Sequence, residues 1–149
     1  MKPAPLPQIL QRAGHDCATA AWKCVYYFHV GRNARILDLS HPIAGTDPLT
    51  LEAVIRRDAA WHVRSGETMI DDLKHYAETW RPPICLVTMP GETESHYIVV
   101  GGVWRGYVYY HCPCDGWGRM REAEFISMWH GLGRHRDFRM WSLTAWPVV

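Results

Sequence analysis

Cys17 opens the run Cys17-Ala-Thr-Ala-Ala-Trp22, which has the composition of a buried helix, and Gln11 lies six positions before it. A cysteine at the first position of a helix meets unpaired backbone N–H groups and the positive end of the helix dipole, and both favour thiolate over thiol. The thiolate is the nucleophilic form, so such a position lowers the thiol pKa and raises reactivity near neutral pH. A glutamine amide beside it can donate to a developing oxyanion. The competing reading is that Cys17 is a small buried hydrophobe, as most free cysteines are. The second residue of interest is His96, which starts a run rich in β-branched residues just after the polar turn Glu92-Thr-Glu-Ser95. An imidazole at the mouth of a strand, facing a helix end that carries a cysteine, takes the thiol proton and returns it to a leaving amine. The chain has nine histidines, so an ordinary surface histidine is the alternative.

The elements that must position these groups follow in chain order. A first helix is expected over 17–29, with Gly31 as its C-cap and apolar residues on more than one face. Pro42, Gly45 and Pro48 mark loop. A second helix follows over 49–61, with Pro48 at its first position and Leu51, Val54 and Ile55 as its stripe. Residues 65–68 read as a turn. A third helix, capped by Thr68 with Asp71 and Asp72 in its first turn, runs to about Trp80 and stops before Pro82-Pro83. Strands are then expected over 84–88, 95–103 and 107–111, the last two a hairpin turning at Arg105-Gly106. Residues 112–118 read as loop. A short helix over 122–130 turns Phe125, Met128 and Trp129 inward and stops at Gly131, and a last strand runs over 138–148. Helices first and strands after means α+β, not a βαβ repeat.

A chain of 149 residues fits a single domain spanning 1–149, with the proline-interrupted residues 1–7 as an extended arm. The 48% hydrophobic and 21% charged residues are ordinary for a globular protein. A net charge of +1 gives no general pull toward nucleic acid or an anionic membrane. The one basic cluster, residues 134–139, contains an acid and reads as a solvated loop. No stretch is long and apolar enough to span a membrane, and the N-terminus lacks the apolar segment of a signal peptide. Five cysteines without an export signal point to a reducing, cytoplasmic setting. His111-Cys112-Pro113-Cys114 places three soft ligands in four residues, with Cys17 or His96 available to complete a zinc or copper set. C-x-C is tighter than the usual C-x₂-C, and no second pair follows, so no metal and no other cofactor is expected. A disulfide between Cys112 and Cys114 would be strained. Cys24 and Cys85 read as core.

Taken together, Gln11, Asp16-Cys17 opening an alanine-rich helix, Gly45-Thr46, Thr68-Met-Ile-Asp-Asp-Leu73, Pro83-Ile84, Ser95-His-Tyr-Ile-Val-Val-Gly101, Glu124-Phe125 and Trp129-His-Gly131 resemble the peptidase C39 family. No single motif is specific; their order and spacing over residues 8–131 are. The family comprises papain-like cysteine peptidase domains, best known at the N-terminus of bacteriocin and peptide-pheromone exporters, which cleave a leader peptide after a Gly-Gly pair. The resemblance implies a papain-like α+β fold, N-terminal helices packed on a C-terminal antiparallel sheet. It implies Cys17 as nucleophile, His96 as general base and acid, and Gln11 as oxyanion donor. It further implies a peptide or protein substrate with a Gly-Gly leader, and a separate exporter as partner.

The chain departs from the family pattern twice. Ala18 stands where a glycine usually follows the cysteine. Cys112-Pro113 stands where the family has Asp-Pro, whose carboxylate orients the histidine. A thiol is a poorer acceptor than a carboxylate. Asp115, three residues on, is a second candidate for the orienting role. The alternatives are a degenerate C39-like domain that binds peptide without turnover, which the cysteine at 112 fits, and a papain-like amidase or acyl transferase effector.

Overall fold

A computed structural model describes residues 2–10, 17–31 and 46–148. Four helices are present among them: α1 (Cys17–Val30), α2 (Pro48–Arg56), α3 (Ile70–Glu78) and α4 (Glu122–Met128). Six strands, β1 (Trp61–Glu67), β2 (Ile84–Val87), β3 (His96–Trp104), β4 (Tyr107–Cys112), β5 (Gly116–Arg121) and β6 (Trp141–Pro147), form one antiparallel sheet in the order β1-β6-β2-β3-β4-β5. Successive side chains of a strand point to opposite faces. Leu86, Tyr97 and Val99 therefore pack with Ala21, Trp22 and Val25 of α1 and Leu51 and Ile55 of α2. Cys85, Val87, Ile98 and Val100 pack on the other side with Leu73 of α3 and Phe125 and Met128 of α4. Covered on both faces, β3 is buried from Tyr97 through Val103. The sheet thus has helices on both sides, with α1 and α3 against the same central strand.

Local chemistry explains the elements that match expectation. α1 ends where Gly31 adopts φ 80° and its N–H bonds the Tyr27 carbonyl at 2.9 Å. α2 starts at Pro48, and the Asp47 carboxylate caps it by accepting the Thr50 N–H at 2.8 Å. The β3–β4 turn has positive φ at both Arg105 and Gly106, the backbone of a two-residue hairpin loop whose twist matches its strands.

Four expectations are corrected. α2 stops at Arg56, and 61–67 is a strand in full register with β6, not helix end and turn. Partnering with β6 overrides the local helix signal there. Residues 112–118 are not one loop. The chain turns over 113–115, and Gly116, with φ 85°, opens the edge strand β5. Only Gly116 and Met120 of β5 are buried, so its sequence carries little apolar signal. Thr68 does not cap α3: Met69 is the N-cap residue, the Asp72 carboxylate accepts its N–H at 2.8 Å, and the Thr68 hydroxyl pairs with Ser142 Oγ at 2.7 Å. α4 ends at Met128, before Gly131.

The N-terminal residues lie across β3, β4 and β5 as a strap. The Ala4 N–H bonds the Gly101 carbonyl at 2.7 Å, and the Trp117 indole N–H bonds the Leu6 carbonyl at 3.1 Å. The Cys24 thiol reaches the Pro7 carbonyl at 3.4 Å, and the Ile9 N–H donates to His111 Nε2 at 3.1 Å. A Cβ on Gly102 would come within 2.9 Å of Pro3 Cα, so the glycine is what lets the strap lie flat. His111 is fully buried, burial lowers its pKa, and Nε2 is its acceptor, so the neutral ring carries its proton on Nδ1.

The segment after α4 is held by Trp129, which is buried with its indole N–H on the Trp141 carbonyl at 2.8 Å. Its own carbonyl accepts the Met140 N–H at 2.9 Å, and the Gly131 N–H bonds the Phe138 carbonyl at 2.9 Å. The loop closes so tightly that a Cβ on Gly131 would run into the His135 carbonyl. Gly131→Ala is expected to destabilise the fold by about 1–3 kcal/mol, the usual cost of forcing atoms into a packed site. Denaturant unfolding of the two proteins measures this, and a difference under about 0.5 kcal/mol would show the loop yielding instead.

Candidate active site

Cys17 is the first residue of α1, a helix pressed onto the sheet by Ala18, Ala21, Trp22, Cys24 and Val25. Its side chain is partly exposed at the helix N-terminus. The backbone N–H groups of Tyr97, Ala18 and Cys17 itself act on the thiol and favour thiolate. Burial acts the other way and is the larger effect, so the thiol pKa is raised. The sequence-based expectation of a lowered pKa is corrected here: the helix end contributes as expected, but desolvation outweighs it.

His96 is the first residue of β3, paired with Val87 of β2. It thus lies one residue before Tyr97, whose backbone N–H acts on the Cys17 thiol. Burial depresses the imidazole pKa, while the carboxylates of Glu92 and Asp115 pull it back up. His96 Nε2 lies 3.7 Å from Cys112 Sγ, at the buried end of β4. Cys17, His96 and Cys112 are thus gathered where the α1 N-terminus meets β3 and β4. Asp115, exposed in the turn between β4 and β5, acts on His96 through its charge. Gln11 lies outside the described residues, as do Asp16 and Gly45. Tyr97 ties the site to the start of α2, its hydroxyl donating to the Thr46 carbonyl at 2.7 Å.

Among the described residues, no group of three or more His, Cys, Asp or Glu is arranged to hold a metal ion. The 111–114 run is split by the alternation of β4. His111 faces the strap, and Cys112 faces His96.

A cleft of about 300 Å³ lies between the turn before β3 and the segment after α4, lined by Thr93, Glu94, Ser95, Leu132, Gly133, Arg134 and His135. Among the described residues, Ser95 Oγ and His135 Nδ1 have no hydrogen-bond partner, and both atoms are closed to solvent. Burial and the Arg134 charge lower the His135 pKa, against a smaller pull from Asp47. Sequence reasoning did not single out Ser95 or His135, because only the fold brings 93–95 and 132–135 together. No described helix is long and apolar enough to cross a membrane.

No protein-family model matches the sequence, and no curated protein matches it. Solved structures do match. A double glycine motif protease from an AMS/PCAT transporter, determined with its leader peptide, superposes with a TM-score of 0.66 at 18% identity, over 98% of this chain and 94% of that one. The peptidase domain of Streptococcus ComA, a bifunctional ABC transporter of a quorum-sensing pathway, gives 0.67 at 21% identity, over 94% and 97%. A C39-like peptidase from Bacillus anthracis gives 0.72 at 11% identity, over 95% and 94%. The family resemblance read from the sequence therefore holds at the level of architecture, and the chain has the papain-like fold of the C39 peptidase domains.

Proposed function

We propose that the protein is a cysteine peptidase of the C39 type, with Cys17 as nucleophile and His96 as general base and acid. The observation that carries this reading is the meeting of the Cys17 helix end with the first residues of β3. Backbone N–H groups of both elements act on the thiol there, and His96 opens the same strand one residue before Tyr97. Both groups are neutral at rest, since burial raises the thiol and lowers the imidazole. His96 takes the proton as Cys17 Sγ attacks the substrate carbonyl. The backbone N–H groups at the helix start, with the Gln11 amide, stabilise the oxyanion. His96 then protonates the leaving amine, and water hydrolyses the thioester. Cys112 holds the imidazole in place of a carboxylate. The similar double glycine motif protease, solved with its leader peptide and taken from a transporter, supports a peptide substrate cut after Gly-Gly and an exporter as partner.

A thiol-reactive probe followed by peptide mapping tests the assignment. Wild type is expected to be labelled at Cys17. Cys17→Ala should abolish hydrolysis, and His96→Ala should lower it by about 10²–10⁴-fold, the range for losing a general base. Full hydrolysis by either variant overturns the proposal. Peptide binding that survives Cys17→Ala, with no turnover by wild type, would instead establish the binding-only alternative that Cys112 favours.

Cys112 yields a prediction with a definite sign. With its pKa raised by burial, Cys17 should be alkylated at a rate that climbs with pH through the alkaline range. In Cys112→Asp, a carboxylate beside Nε2 favours imidazolium, which in turn favours thiolate. The profile should move toward neutral pH and hydrolysis at pH 7 should rise. Iodoacetamide rates from pH 5 to 10 read this directly, and a wild-type profile already flat at pH 6 contradicts it.

A further inference from the structure

Cys114 has no part in the chemistry proposed above, yet the fold sets it beside a thiol that does. Cys112 is the last residue of β4 and pairs with Gly116, the first of β5, so the chain reverses within residues 113–115. Two residues separated by one position inside such a turn have Cα atoms within the span a disulfide bridges, about 4.4–6.8 Å. Cys114 is exposed on the turn, and Cys112 is fully buried at its foot. Burial first, then the charge that Cys112 can carry, with Asp115 and Cys17 adding to them, push the Cys114 thiol up to about 11. Cys112 Sγ in turn lies 3.7 Å from His96 Nε2. A buried thiol therefore has an imidazole on one side and an exposed thiol on the other.

We propose that Cys112 and Cys114 are a modification site, a reversible disulfide that turns the peptidase down when a small-molecule disulfide, RSSR, oxidises it. The inference rests on the peptidase reading above, in which Cys112 holds the His96 ring. The thiolate of Cys114, the accessible cysteine, attacks RSSR, forming a Cys114–SR bond and releasing RS⁻. The Cys112 thiol gives its proton to His96 Nε2, and its sulfur attacks Cys114 Sγ. That step forms the protein disulfide and releases a second RS⁻. Two protein thiols are oxidised, one RSSR is reduced, and the two thiol protons end on two RSH. A disulfide sulfur has no proton to donate and cannot ionise, so His96 loses its partner at Nε2. A disulfide in so small a ring is strained and readily reduced, which makes the change reversible. A carboxylate at position 112 would hold the histidine in either state; a cysteine makes the hold conditional.

Cys17→Ala separates closure of the disulfide from chemistry at Cys17. Treated with oxidised glutathione at about pH 8.5, to raise the thiolate fraction, and cut with trypsin without reduction, it should yield the 106–119 peptide two hydrogens lighter. Dithiothreitol should return the original mass. In wild type, closure should lower hydrolysis of a Gly-Gly peptide about three- to tenfold, the worth of one hydrogen bond to the histidine, and reduction should restore it. Cys114→Ser should work within about twofold of reduced wild type and keep that rate in the oxidant. The 13–23 peptide carries Cys17 and reports glutathione bound there, so rates are compared per unmodified Cys17. A 106–119 peptide that keeps both thiols in Cys17→Ala overturns the inference and leaves the peptidase reading standing. Closure without loss of hydrolysis, equal loss in Cys114→Ser, or a wild-type cross-link between 13–23 and 106–119 each does the same, since oxidation then acts elsewhere or not on His96. A reduced wild type with no hydrolysis overturns the peptidase reading and this inference together.

Discussion

The contact between the N-terminus of α1 and the start of β3 is the constraint on which the site depends. Neither element makes a site alone. α1 is nailed to the sheet by small and aromatic residues on its inward side, which fixes where its first residue lies. β3 is a central strand, buried on both faces and paired on both edges over most of its length, and pairing with Val87 holds its first residue. Tyr97 is the joint between them, packed in one cluster with Cys17 and acting on its thiol through the backbone N–H. The strap, α2 and the segment after α4 all bear on this junction. The strap spans β3 to β5, Tyr97 reaches Thr46 ahead of α2, and the Gly131 loop closes over the turn before His96.

Electrostatics at the junction favours uncharged partners. A thiolate–imidazolium pair gains from mutual attraction, but each ion must first leave water. Here burial is the leading influence on both groups and moves them apart, thiol up and imidazole down. A carboxylate at position 112 would shift that balance by favouring imidazolium, and a thiol 3.7 Å from Nε2 does so far less. The remaining negative charges, on Glu92 and Asp115, sit at the exposed rim, where water screens them.

Much of this is legible in the sequence alone, for identifiable reasons. The helix opened by Cys17, the hairpin at Arg105-Gly106 and the inward face of α4 each carry a local signature: apolar patterning, turn residues or a glycine stop. The α+β class followed from their order. β1 and β5 were missed because both are edge strands, whose partners lie far away or whose outward residues are polar. The net direction of the Cys17 pKa was missed because desolvation depends on how deeply the fold seats the helix end, which no spacing reveals. The cleft before β3 was missed because residues 93–95 and 132–135 meet only through tertiary structure.

His111 and Cys112 are neighbours in the chain that serve opposite sides of the sheet, one gripping the strap and the other touching the imidazole. A strand shifted by one residue exchanges its faces. Mispairing of β4 by a single step would therefore turn His111 toward His96, swing Cys112 toward the strap, and detach both at once. The left-handed Gly116 and the tight turn before it, which set the pairing of β4 with β5, act in effect as a proofreader of assembly. A chain that folds with the strap seated has, by the same pairing, delivered the thiol to the histidine.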